Sequence, residues 1–172
     1  MDGASTGASV ARMFKVTNAA AASTTAVHAN YNADQANAFP GAFTNPGVPR
    51  NVTVTFNASW DGGDVTVVGT DAMGNAQSEV IADNPGNTVA GAKIFATVTS
   101  ASKQTVGAAA APASIGTGVI LGVAADVQDD FGLLQMDGAA EAVTVSAANN
   151  SFAPTTAPNG ARDYVVLLNV AP

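Results

Sequence analysis

From residue 51 the chain alternates apolar and polar side chains with a period of two. Val52, Val54, Phe56, Ala58 and Trp60 fall on one side of an extended backbone, and Thr53, Thr55, Asn57 and Ser59 on the other. That is the pattern of a strand with one buried face. Asp61-Gly62-Gly63-Asp64 is turn material, and residues 65–68 read as the returning half of a hairpin. Residues 71–75 predict a second turn before a short strand through Glu79-Val80-Ile81. Residues 83–87 predict a third turn, followed by a strand over 94–98. Further on, residues 119–123 read as a buried strand, 129–134 as a loop and strand together, and 143–145 as a brief strand. The apolar run 164–170 suits a central strand, because an edge so apolar invites aggregation. Short strands separated by Gly, Asn and Asp predict an all-β fold, an antiparallel β-sandwich or barrel. Val54, Phe56, Trp60, Val67, Ile81, Phe95, Leu121, Tyr164, Val166 and Leu168 are the expected inward side chains.

Residues 1–50 follow a different pattern. They are rich in Ala, Ser, Thr and Asn, with scattered apolar residues and no sustained period. Residues 13–16 predict one short strand, and Phe39-Pro40-Gly41 and Asn45-Pro46-Gly47 predict turns. The expected organisation is an extended N-terminal arm over 1–50 and a β domain over 51–172.

Composition narrows the chemistry. The chain of 172 residues has no cysteine, which excludes disulfides, thiolate metal sites and Cys nucleophiles. Thirteen acidic residues against six basic ones give a net charge of −7, a sign that opposes nucleic acid. Charged residues make up 11%, far below the roughly 25% of an average soluble domain. A surface of Ala, Thr and Asn carries little charge to keep neighbouring molecules apart. The start has no basic and apolar segment of the secretory kind, and residues 115–127 are too short and Gly-broken to span a bilayer. No membrane partner is expected.

No catalytic constellation emerges. The single histidine, His28, lies in the Ala-rich lead-in, and no Gly-x-Ser-x-Gly elbow or phosphate loop is present. Asp61 and Asp64 flank two turn glycines, a better fit to a hairpin than to an acid/base pair. Asp126, Asp129 and Asp130 form the densest acidic cluster, but their spacing fails the EF-hand loop. Trp60, in phase with Phe56, reads as core more readily than as a sugar platform. Neither a catalytic residue, nor a cofactor, nor a metal is expected.

Several short motifs occur in a telling order. Gly69-Thr70-Asp71 is followed by Gly74-Asn75-Ala76, by Glu79, and by Gly91-x-x-x-Phe95 before a Val/Thr strand. Ile115-Gly116-Thr117-Gly118 then leads into an apolar strand, and Pro158-Asn159-Gly160-Ala161-Arg162-Asp163-Tyr164 opens the last one. This series, over roughly residues 52–170, resembles structural proteins of tailed bacteriophage virions. The resemblance implies a virion protein without enzyme activity. Small size, a β domain and an arm favour the capsid decoration (cement) type. Such proteins sit on the capsid exterior in many copies, often as trimers, after synthesis in the host cytoplasm. The implied partners are the major capsid protein and copies of the chain itself. A tail or baseplate component and a host-glycan-binding head fibre are the alternatives, with a secreted glycosidase or carbohydrate-binding module as a more distant one. The arm supplies the candidate assembly contacts, Arg12, Met13, Phe14, Lys15 and Val16, as a segment that orders on assembly.

Overall fold

A computed structural model describes residues 9–172. The chain forms thirteen strands in sequence order: β1 (Val10–Val16), β2 (Ser23–Asn32), β3 (Arg50–Phe56), β4 (Val65–Thr70), β5 (Ala76–Ile81), β6 (Thr88–Phe95), β7 (Thr97–Lys103), β8 (Pro112–Gly122), β9 (Val127–Met136), β10 (Ala139–Glu141), β11 (Val143–Ser146), β12 (Ser151–Pro154) and β13 (Tyr164–Val170). A 3₁₀ turn at Ala147–Asn149 is the only helical element among the described residues. All pairings are antiparallel. Three sheets result: β1-β13-β9-β10, β11-β12-β8-β3-β6 with β2 also paired to β8, and β5-β4-β7. The all-β architecture expected from the alternation is the one observed.

The core is double. Val54, Phe56, Trp60, Val67, Ile81 and Phe95 join Val27, Tyr31 and Phe39 in a first cluster, between the β8-β3 sheet and β5-β4-β7. Leu121, Tyr164, Val166 and Leu168 join Phe152, Leu134 and Val145 in a second, beneath β1-β13-β9-β10. The strand that unites them is β8. Its first half pairs with β2 and its end with β12, while β3 runs along its other side. Arg50 opens β3 close to this junction and is almost wholly buried. Its guanidinium donates to the carbonyls of Ala20, at 2.7 Å, and Gly118, while Nε has no partner. Burial pushes its pKa down, against an opposing contribution from Tyr164. A charge held only by carbonyl dipoles is costly unless its neighbours are fixed. Arg50 therefore ties β3, β8 and the β1–β2 connection into one arrangement.

The expected 52–60 hairpin with 65–68 does not form. Phe56 ends β3, and Trp60 is buried through a turn, with its backbone N–H on the Asn57 carbonyl and Nε1 donating to the Gly63 carbonyl at 2.8 Å. The chain thereby crosses from one sheet to the other, so β4 pairs with β5 and β7 instead. The single strand expected over 94–98 also divides. Ala96 separates β6 in the β3 sheet from β7 in the β4 sheet.

The division at residue 50 is not a division of the packing. Residues 10–16 form an edge strand on β13, and residues 23–32 form a strand on β8. Val27, Tyr31, Ala33 and Phe39 are buried in the first core, so this stretch is woven into the domain rather than leading up to it. Residues 1–8 of the expected arm lie outside the described residues.

The turn at 71–75 forms where expected. The Asp71 carboxylate accepts from the Met73 and Asn75 backbone N–H groups, both at 2.8 Å, and from Asn75 Nδ2 at 3.0 Å. Burial alone would raise the Asp71 pKa, but these hydrogen bonds outweigh it and hold the carboxyl below its ordinary value. A group lowered on folding stabilises above its unfolded pKa, and the benefit is lost as pH falls through the folded one. Asp71→Ala is expected to cost about 1 kcal/mol at pH 7, the half-exposed site tempering a charged hydrogen-bond set. The gap from wild type should narrow as pH falls from 7 to below the ordinary Asp range, since the folded-state value lies lower still. Chemical denaturation at the two pH values checks this, and an equal gap at both would contradict it.

Candidate functional site: an assembly face

The motif residues of the sequence have structural jobs in the fold. Glu79 on β5 accepts from the backbone N–H of Ala92 (2.7 Å) and Lys93 (3.3 Å) on β6, stitching the β5-β4-β7 sheet to its neighbour. Gly91 leaves room beside it, because a Cβ there would push on the Glu79 carboxylate. Gly116 allows β2 to approach β8, since a Cβ there would overlap the Ser23 carbonyl. Asn159 Oδ1 accepts from Ala161 and Arg162 N–H at 3.0 and 3.1 Å, shaping the turn before β13. Tyr164 is fully buried and donates to the Thr156 carbonyl at 2.7 Å. Burial raises its pKa, a tendency that nearby Glu141 reinforces and Arg162 opposes.

The residues weighed for chemistry are similarly engaged. Asp61 Oδ2 accepts from Ala108 N–H at 2.7 Å, and Asp64 Oδ1 from Asp83 N–H at 2.9 Å. Asp130 accepts from Ala147 N–H at 2.7 Å, while Asp129 accepts from Asn169 Nδ2 at 2.9 Å on a different strand. Among the described residues no three His, Cys, Asp or Glu side chains converge as metal ligands. His28 lies between the rings of Phe39 and Phe43, with centroids 5.4 and 4.9 Å away, and its nitrogens meet the carbonyls of Ala29 and Pro40. Trp60 packs on Phe56 at 5.7 Å. Lys103, missed in the sequence, is buried and donates to three carbonyls, those of Ala33, Gln35 and Thr105. No local sequence pattern announces it, because its acceptors are backbone carbonyls.

A polar cleft, whose polar side chains are each hydrogen-bonded within the fold, lies between the two halves of the molecule. Asp71, Gln77, Lys93, Asn149 and Asn150 line it, with a volume of about 210 Å³. It has no aromatic wall.

Arg12, Met13, Phe14, Lys15 and Val16 come together on β1. Phe14 and Val16 turn inward and pack on the second core. Met13, opposite Leu167 of β13, is 72% exposed. Lys15 forms an ion pair with Asp163 at 3.1 Å, and Arg12 is exposed. Among the described residues β1 pairs only with β13, so its other edge presents free N–H and C=O groups. Behind that edge the outward face of β1-β13-β9-β10 is uncovered. No family model, no curated protein and no solved structure matches the chain. No helix among the described residues is long and apolar enough to cross a membrane.

Proposed function

We propose that the chain is a non-enzymatic structural protein of a tailed-bacteriophage virion, a capsid decoration protein on the outside of the head shell. The observation that supports it best is the free edge of β1, which carries two of the six basic side chains, Arg12 and Lys15, on an otherwise acidic molecule. An exposed edge recognises an extended partner through main-chain hydrogen bonds that need little sequence specificity. Arg12 then pairs with carboxylates of the major capsid protein, and Lys15 joins it by exchanging its own Asp163, speeding encounter more than deepening affinity. The acidic remainder of the surface suits a position away from packaged DNA. The polar cleft at Asp71, Lys93 and Asn149 favours a second reading, a head fibre that binds host glycans.

Quantitative mass spectrometry of purified particles tests the proposal. The protein is expected in a fixed ratio to the major shell protein, retained through density-gradient purification. Its absence from particles, or retention by an immobilised glycan in the absence of particles, would count against decoration.

A further inference from the structure

Asn159-Gly160 is the only Asn-Gly pair in the chain. Its surroundings do more than shape a turn. Asn159 is exposed, and its Oδ1 accepts from the N–H groups of Ala161 at 3.0 Å and Arg162 at 3.1 Å. Gly160 sits at a φ of 89°, with nothing within 4 Å of where a Cβ would lie, so this side of the turn is open to water. Without a Cβ, its nitrogen is also unhindered towards the side chain that precedes it. That nitrogen is engaged elsewhere, since its N–H donates to the Ala19 carbonyl at 2.8 Å. The Asn18 N–H returns a bond to the Arg162 carbonyl at 3.1 Å. Ala19 is buried, and the next carbonyl, that of Ala20, accepts from Arg50 at 2.7 Å. The β1–β2 connection therefore holds the Gly160 N–H from a fixed position.

We infer that Asn159 is a self-modification site, converted to aspartate and isoaspartate by the Gly160 nitrogen, and that the β1–β2 connection keeps it locked. When the Gly160 N–H leaves Ala19 and yields its proton to hydroxide, the nitrogen attacks Asn159 Cγ. A Cγ–N bond forms, the Cγ–Nδ2 bond breaks, and ammonia departs with a proton from water. Water then opens the five-membered imide. Cleavage at Cγ gives aspartate, and cleavage at the Asn159 main-chain carbonyl gives isoaspartate. The net change is amide and water to carboxylate and ammonium, with no redox partner. Two features favour the attack. Nucleophile and carbonyl carbon are neighbours in one chain, so no encounter is needed. The Ala161 and Arg162 N–H groups point at the oxygen that takes up negative charge as the new bond forms. One feature opposes it, because the proton to be lost is hydrogen-bonded to Ala19. The reaction therefore proceeds through local opening of the turn away from the connection, at lower free energy than unfolding. Isoaspartate adds a methylene to the main chain before Gly160, which displaces the Gly160 N–H from Ala19 and makes the release one-way.

Peptide mapping of the full chain, aged at mildly alkaline pH with and without unfolding urea, tests this. The native chain is expected to convert at residue 159 about a hundredfold more slowly than the urea-unfolded chain. Hydrogen exchange of the Gly160 amide should show the same retardation, because both reactions need that N–H free and both are driven by hydroxide. Asn18 holds a left-handed φ of 49°, which a β-branched side chain tolerates poorly. Asn18→Val should therefore loosen the connection and speed both processes several-fold, with circular dichroism unchanged. Native conversion as fast as in urea, no native conversion at all, or Gly160 exchange far out of step with the retardation would overturn the inference. So would a folded Asn18→Val in which neither rate rises. The wild-type measurements decide the matter by themselves if Asn18→Val does not fold.

Discussion

Phe95→Ala and Phe152→Ala are each expected to lower folding stability by about 3–5 kcal/mol, the transfer energy of the lost ring plus the cavity left behind. Both rings are fully buried, Phe95 in the first core and Phe152 in the second. Phe95 ends β6 at the point where the chain crosses to β7, so its ring is fixed by the backbone on both sides. Phe152 pairs with Leu121 at the end of β8. Because the two clusters are separate, the two losses should add within about 0.5 kcal/mol when combined. A domain of this size has a total stability of roughly 5–15 kcal/mol, so the double variant should be largely unfolded. Urea melts of the three variants measure this. Near-wild-type melting of either single variant would contradict the core assignment, and strong non-additivity would contradict two cores.

A chain beginning at Arg50 is expected not to fold. It lacks β1, and so exposes the flank of β13, whose Val166 and Leu168 are fully buried. It lacks β2 as well, and with it Val27, Tyr31 and Phe39 from the first core. Burial of one large apolar side chain contributes about 1.5–3 kcal/mol, so these three alone approach the whole stability of the domain. Arg50 would also lose the Ala20 carbonyl that accepts from it. Far-ultraviolet circular dichroism and thermal melting decide the point. A cooperative transition near that of the full chain would show that residues 1–49 are an appendage.

The sequence made the class of fold legible because alternation over 52–56 and the apolar run 164–170 are local signals of buried strands. All ten side chains expected to point inward are buried. Turn chemistry was equally local, as the Asp71 hydrogen bonds show. Pairing was not. The link from Phe56 to Val65 looks like a hairpin turn, yet Trp60 folds into the core and carries the chain to the other sheet. β2 escaped notice for a different reason. Only Val27 and Tyr31 of its ten residues are buried, too few to write an apolar alternation into the sequence, and bulges at Ser23–His28 and His28–Tyr31 interrupt its pairing. Strands β1 and β13 were each legible as strands, but they lie at opposite ends of the chain, and no local pattern announces that they pair.

The candidate site was legible to the same degree. The grouping of Arg12 to Val16 follows from adjacency in sequence. The apolar row behind it does not, since Met13, Leu167 and Leu133 meet only through register. Buried cations such as Arg50 and Lys103 carry no sequence mark, because their partners are backbone carbonyls distant along the chain.

An electron cryo-microscopy reconstruction of the intact particle tests the central claim most directly. The account expects density fitting this two-core β domain on the outer surface of the head, at positions repeated with the shell lattice. The edge of β1 should lie against the major capsid protein. The same density confined to the tail, or no such density anywhere on the particle, would contradict it.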